Sequence, residues 1–481
     1  MHFSIPDTEE CKDEKGASFT SYNLHVNGVF HCSVRYSQLH DFHEQLKREF
    51  GNTFYGCDRF PPKKLLALTA AQKSERRDKL EKYIQAVSQD GRIVNGDIFK
   101  GFLLSAQRET RRENPVDVSL DVYLMNGNKV TVEIKSTDQT DEVTEAAAEA
   151  IGLPDELVYY FALFLLKETK NNGVEIVRRL QDFESPYMSL KSASGKNRIV
   201  FRRSYWDPSL DDHLMDNRVA VQLLYVQTVH DVQQGWLSGT KEQFKRLDDL
   251  RSKNSRKEYL KFAKTMKYYG HLVFKPCIVD YPKPDTKVTI TAGDKELFFR
   301  VKEDEKEKEG IFRITRIRCW RISVVGDSKP TGNSKQGDQL QLSFEYLISK
   351  GNLQWITVTT DQAILMSLTL QSMVEELLLL KRGGKFRKPS DRIKGPTRQF
   401  KGRDGGIVTT ASSSTPVIPD APSNSSVTHQ PSEGESKSFS AVESVKKITE
   451  IFHSPSNSLG YAPSSMVEND IFDGGIGEED L

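Results

Sequence analysis

At two places an Asn-Gly pair stands between two runs of alternating apolar residues, and each time a helical pattern follows. Tyr22, Leu24 and Val26 alternate before Asn27-Gly28, and Phe30, Cys32 and Val34 alternate after it. Val118, Leu120, Val122 and Leu124 precede Asn126-Gly127, and Val130, Val132 and Ile134 follow it. Asn-Gly readily takes the positive φ angles of a two-residue hairpin turn, so it fixes where the strands reverse and which side chains share a face. The chain therefore starts with two hairpin-then-helix units, which points to an α+β fold built from several domains.

At 481 residues there is length for about three domains or more. The first unit, residues 1–110, continues past its hairpin into a helix with Ser37 as candidate N-cap and Leu39, Phe42 and Leu46 on one face. The loop Phe60-Pro61-Pro62-Lys63 and two further helices follow, one carrying Arg76, Leu80, Tyr83 and Ile84, the other Phe99, Phe102 and Leu103. Residues 116–206 have the order of a β-grasp, ubiquitin-like unit. Residues 207–271 read as helices, with capping-box signals at Thr240/Gln243 and Ser255/Glu258 and a stop at Gly270. Residues 272–382 read as antiparallel strands closed by one helix through Met366, Leu370, Met373 and Leu377, a PH/PTB-like sandwich. Residues 383–481 read as a disordered tail: ten Lys and Arg stand against Asp391 between 381 and 403, and Ser, Thr, Pro and Asn dominate beyond.

The charge balance is 68 Lys+Arg against 67 Asp+Glu, a net of +1, which argues against a dedicated nucleic-acid binder. Five scattered cysteines, with no CxxC spacing, read as reduced thiols in the cytoplasm, with neither a disulfide frame nor a structural zinc. No stretch reads as a signal peptide or as the ~18 apolar residues of a spanning helix. No GxxxxGK[ST], HExxH or GxSxG string occurs, and His40 with His43 reads as a surface pair on a helix. The expectation is a protein that is not an enzyme, with no catalytic residue, no metal and no cofactor.

Three cations in the first unit lie on different elements: Arg35 at a strand end, Lys63 on a proline-fixed loop and Arg76 on a helix. Two guanidinium forks and one ammonium suit a phosphate and ring hydroxyls, Tyr36 suits stacking on a sugar-like ring, and the helix start at Ser37 favours an anion. Leu65, Leu66 and Leu68 form an apolar tip beside them, suited to the bilayer interface. Singly each cation is ordinary. Together, Arg35-Tyr36-Ser37, Pro61-Pro62-Lys63-Lys64 and Arg76-Arg77-Asp78-Lys79-Leu80 resemble the phox-homology (PX) domain in order and spacing. That resemblance implies that Arg35, Lys63 and Arg76 hold phosphatidylinositol 3-phosphate.

The β-grasp, short helical and PTB-like run resembles a FERM module, and the two together resemble the PX-FERM sorting nexin subfamily. Ser204-Tyr205-Trp206-Asp207, Arg318-Cys319-Trp320-Arg321 and Leu370-Gln371-Ser372-Met373-Val374 carry the likeness. It implies a cytoplasmic adaptor, peripheral on the early endosome membrane. Its third lobe would bind NPxY or NxxY signals of lipoprotein-receptor and integrin type, returning those receptors to the cell surface and away from lysosomal degradation. A peptide strand would add to the edge Thr315 to Trp320, with Trp320, Met373 and Leu377 as contacts. In the tail, Asn469-Asp470-Ile471-Phe472 is an NxxF string like the expected ligand, which makes Asn469 and Phe472 candidates for autoinhibition. The terminal Glu478-Glu479-Asp480-Leu481 resembles the segment of that subfamily that docks on the retriever complex, a role given to Leu481. The alternatives are a membrane–cytoskeleton linker and a scaffold whose β-grasp lobe binds a small GTPase.

Overall fold

The computed structural model describes residues 1–13, 16–52, 54, 57–64, 67–112, 114–169, 174–303, 306–325, 339–414 and 466–472. The first hairpin, Ser18–Val26 with Val29–Arg35, turns where expected, with Asn27 at φ 52° and Gly28 at φ 79°. It belongs to a four-stranded antiparallel sheet completed by Phe3–Ser4 and Thr8–Lys12. One face of the hairpin, Tyr22, Leu24, Val26, Cys32 and Val34, is buried against the helices Tyr36–Phe50, Ala70–Val87 and Asp97–Arg111. The first helix begins two residues earlier than expected. Arg35 is its N-cap, and the Gln38 side chain accepts the Arg35 amide at 2.9 Å, so Ser37 is already inside the first turn.

The second hairpin, Asp117–Tyr123 with Lys129–Lys135, also forms around its Asn-Gly turn. With Asn197–Arg203, Phe161–Glu168 and Val174–Arg179 it makes a five-stranded sheet in which Asp117–Tyr123 runs parallel to Asn197–Arg203. The helix Thr140–Ile151 covers this sheet through Val143, Ala147 and Ala148, the arrangement of a β-grasp. Three helices follow, Arg218–Gln233, Lys241–Ser252 and Arg256–Lys264. The capping box at Thr240 and Gln243 forms in both directions, whereas the Ser255 side chain makes no cap bond. Glu258, expected to complete that second box, instead accepts a bond from Lys261 at 3.1 Å.

The third lobe places its strands in the spatial order Lys306–Arg313, Glu296–Glu303, Thr286–Gly293, Cys277–Val279, Asn352–Thr359, Gln339–Ser349 and Ile317–Val325. The closing helix Ala363–Lys381 buries Met366, Leu370, Met373 and Val374 against them. By length and composition this helix is apolar enough to cross a bilayer, which corrects the expectation that no stretch is. Its apolar character goes into the core of the lobe, and its polar face carries Glu376, which accepts both the Trp206 and Asp207 amides.

The tail departs from expectation. Ile393–Lys401 and Ile407–Ser414 pair as a hairpin that packs against the helices Tyr36–Phe50 and Asp97–Arg111 of the first domain. Phe400 is 2% exposed and joins the core of the first domain, with its ring 6.3 Å from Phe102. Cations of the basic stretch 381–403 pair with carboxylates far back in the chain. Arg398 meets Asp97 at 2.6 Å, Arg392 meets Glu145 at 2.6 Å, and Arg387 meets Asp182 at 3.0 Å. Residues 393–401 and 407–414 therefore form a docked hairpin, in which the strand pairing, the buried Phe400 ring and the Arg398–Asp97 ion pair all act against the ordering entropy that made this stretch look disordered.

Candidate functional site

The aromatic cluster around Phe60 fixes the proline loop. Phe60 stacks on His43 at 4.5 Å and meets Tyr83 edge-on at 4.8 Å, while His43 Nδ1 and the Tyr83 hydroxyl are 3.0 Å apart. His43 is buried rather than a surface residue, and burial pushes its pKa down to about 4. The loop then runs to Tyr36, whose hydroxyl donates to the Pro61 carbonyl at 2.8 Å. The Arg76 guanidinium lies 4.3 Å above the Tyr36 ring and reaches the Pro62 carbonyl at 3.4 Å. Arg76, Tyr36 and the loop that carries the exposed Lys63 are thus brought together from a helix, a helix start and a loop.

Arg35 is placed differently. Its guanidinium sits 3.7 Å from the Phe19 ring centroid, and Nη1 donates to the carbonyl of Arg403 at 2.8 Å. Arg403 is in the turn of the late hairpin, a residue that sequence reasoning did not connect with this site. Among the described residues, Arg35, Lys63 and Arg76 have no carboxylate within ion-pair distance, whereas their neighbours Arg77 and Lys73 are paired with Asp78 and Glu10 at 2.7 Å. The unpaired charge is what an external anion requires. Ser37 and Leu68 are half-buried nearby; Leu65 and Leu66 lie outside the described residues.

The second candidate site is the free edge of the third lobe, and the tail occupies it. Met466–Glu468 pairs antiparallel with Ile317–Val325, with Cys319 opposite Glu468, Trp320 opposite Val467 and Arg321 opposite Met466. The chain then turns at Asn469. Its amide donates to the Arg318 carbonyl at 3.0 Å, and its side-chain Nδ2 donates to the carbonyls of Ile314 at 2.9 Å and Ile317 at 2.6 Å. Asn469 Oδ1 accepts the Ile471 amide at 3.1 Å, and the Asn469 carbonyl accepts the Phe472 amide at 3.0 Å. Asn469 is 6% exposed, and Ile471, at 5%, joins the core of the lobe while Phe472 is half-buried. Ile471 was not anticipated as an anchor, since an NxxF string directs attention to its aromatic.

The expected contacts of this groove need correction. The edge strand begins at Ile317, after a single turn of 3-10 helix at Ile314–Arg316, rather than at Thr315. Trp320 contributes its main chain, but its side chain is 1% exposed and Nε1 donates to Ser367 of the closing helix at 3.0 Å. It ties sheet to helix instead of presenting an open aromatic surface. Met373 and Leu377 are core residues too, in the half of the closing helix that faces Trp206, whose indole donates to Ser372 at 3.0 Å. Leu481 lies outside the described residues.

Family comparisons agree with this layout. A PX domain model matches residues 22–106. The F1 lobe of the sorting nexin 17/27/31 FERM domain matches 118–206, the F2 lobe of sorting nexins 17 and 31 matches 207–267, and the sorting nexin 17 FERM C-terminal domain matches 270–378. The chain is 49% identical to sorting nexin-17 of Danio rerio over 396 residues, 81% of this chain and 83% of that protein. It is 47% identical to sorting nexin-17 of Homo sapiens over 405 residues, 82% and 86% of the two chains. Against sorting nexin-31 of Homo sapiens the identity is 36% over 383 residues, 79% and 86%.

Proposed function

Because the chain belongs to the sorting nexin-17 family, a PX domain followed by FERM lobes, we propose that it is a non-catalytic cargo adaptor of the early endosome. The PX pocket of Arg76, Lys63 and Tyr36, with Arg35 at its margin, takes the headgroup of phosphatidylinositol 3-phosphate. The edge strand Ile317–Val325 takes NPxY or NxxY signals in receptor tails of lipoprotein-receptor and integrin type. Cargo so gripped is recycled to the cell surface and spared lysosomal degradation. Two weak contacts on one membrane reinforce each other through effective concentration.

The observation that supports this reading most is the tail itself. Its Asn469-x-x-Phe472 string adds a strand to the third lobe and turns through an Asn side chain bonded to two carbonyls, which is what β-augmentation by a sorting peptide requires. The tail thereby acts as a built-in competitor. Receptor peptide displaces it and frees the residues leading to Leu481 for docking on the retriever complex.

The test is competition. A synthetic peptide spanning residues 466–472 and a fluorescent NPxY peptide are titrated against the full chain carrying Asn469→Ala. Each should displace the other, and vesicles containing phosphatidylinositol 3-phosphate should bind wild type but not Arg76→Ala. Simultaneous binding of both peptides refutes the shared groove; unaltered vesicle binding by Arg76→Ala refutes the lipid site.

A further inference from the structure

A cavity of about 360 Å³ lies where the PX domain, the β-grasp sheet and the closing helix of the third lobe meet. That is within the ~300–1,000 Å³ range of small-molecule sites. Lys100 comes from a PX helix, Arg179, Asp182, Arg202 and Arg203 from the β-grasp lobe, and Glu375 from the closing helix.

The cations here are not balanced. Arg202 is 7% exposed, yet its Nε and Nη1 have no hydrogen-bond partner and it pairs with no carboxylate among the described residues. Burial works against its charge, with Asp231 offsetting only part of the cost. Arg203 reaches Asp211 at 3.4 Å through Nη1, but its Nη2 has no partner. That guanidinium lies over Gly270, where a Cβ would fall 1.3 Å from Nη2, so only glycine leaves it room. Lys100 is buried, and neither it nor Arg179 has an ion-pair partner among the described residues. On the acidic side, Asp182 is already held by Arg387 at 3.0 Å, and Glu375 accepts from Gln371 at 3.1 Å. Three side-chain cations without an ion-pair partner, Lys100, Arg179 and Arg202, together with the Met1 ammonium, thus face one such carboxylate.

Burying unpaired cations costs several kcal/mol per ion. Water in the cavity satisfies donors but leaves the charge uncompensated. We propose that this cavity is a binding site for a small phosphate-bearing polyanion, held by Arg179 and Arg202 with Lys100 opposite, and distinct from the PX headgroup pocket. Guanidinium forks spread around one space suit several phosphate groups on a compact frame better than a single carboxylate. Because its ligands come from two domains and the cavity is walled by a third, the bound anion also clamps the lobes to one another.

The experiment uses the full chain carrying Arg76→Ala, so that the PX pocket does not contribute, with inorganic phosphate and myo-inositol hexakisphosphate as probes. Calorimetric titration and thermal melting are read on this background and with Arg179→Gln or Arg202→Lys added. The hexakisphosphate should bind and raise the melting temperature. Arg179→Gln, at a half-buried position, and Arg202→Lys should each weaken binding at least tenfold. Should Arg202→Lys not fold, Arg179→Gln decides alone. Absence of binding on the Arg76→Ala background, or binding unchanged by Arg179→Gln, overturns the proposal; phosphoinositide vesicle binding by wild type reads the lipid site separately.

Discussion

Truncating Asn469 to alanine gives the sharpest quantitative consequence of the tail contact. The side chain makes three hydrogen bonds, to the Ile314 carbonyl, the Ile317 carbonyl and the Ile471 amide, from a position that is 6% exposed. At about 1 kcal/mol net for each bond the closed arrangement weakens by roughly 3 kcal/mol. Since ~1.4 kcal/mol is a factor of ten, the ratio of closed to open chain falls by roughly a hundredfold. A receptor peptide that binds only the open chain has an apparent Kd raised by the reciprocal of the open fraction. If the resting chain is closed by ~2–3 kcal/mol, Asn469→Ala therefore tightens apparent binding by tens of fold. Fluorescence anisotropy of a labelled NPxY peptide against the full chain measures this directly. Asp470→Ala is the matched control: Asp470 is exposed in the same turn and should change affinity less than about twofold. Equal affinity for wild type and Asn469→Ala, or an equal gain from Asp470→Ala, refutes the reasoning.

Phe400→Ala removes the aromatic that anchors the late hairpin in the PX core, a loss bounded by the ~3–5 kcal/mol of a buried Phe truncation. Hydrogen exchange should speed up in Ile393–Lys401 and along Asp97–Arg111; unchanged protection would mean that the hairpin docks without Phe400. Arg392→Ala breaks contacts with Glu142 and Glu145 that join the tail to the β-grasp lobe, and should lower the melting temperature, whereas Lys64→Ala, an exposed cation, should not. Acid should destabilise the PX domain. Burial lowers the pKa of His31 and of His43 to about 4, below the unfolded value of 6.5. The unfolded chain therefore takes up protons first as pH falls, so the stabilisation present above pH 6.5 is lost on the way down to about pH 4, by up to about 3 kcal/mol for each histidine. Thermal melts at pH 7.5 and pH 5 test this, and a flat profile contradicts it.

Local chemistry made the first two domains readable. Asn27-Gly28 and Asn126-Gly127 turn their hairpins where the dipeptides stand, and Thr240 with Gln243 caps its helix. Long-range pairing was not readable in this way. Nothing near Arg398 says that its carboxylate is Asp97, 301 positions away, or that Arg392 answers Glu145 across 247. A basic stretch with only two aromatics, Phe386 and Phe400, has the composition of a solvated linker until its partners are known. Trp320 poses a different problem. Alternation along a strand tells which residues share a face, but not whether that face meets a peptide or the lobe's own helix. The bond from its indole to Ser367 answers that, and no spacing in the sequence contains it. For the proposed lipid site, the order of Arg35, Lys63 and Arg76 offers the cations, while the reach of Arg403 to Arg35 depends on a hairpin whose partners are distant in sequence.

The placement of Phe400 against Phe102 also bears on how the protein is made. A ribosome adding ~5–20 residues per second needs roughly 15–60 s to travel from one of these rings to the other. During that interval the earliest helices of the nascent polypeptide have emerged but still lack their covering strands. The module of residues 1–110 is therefore completed only after the third lobe has been translated, and a chain truncated after that lobe would leave the apolar flank of this module bare.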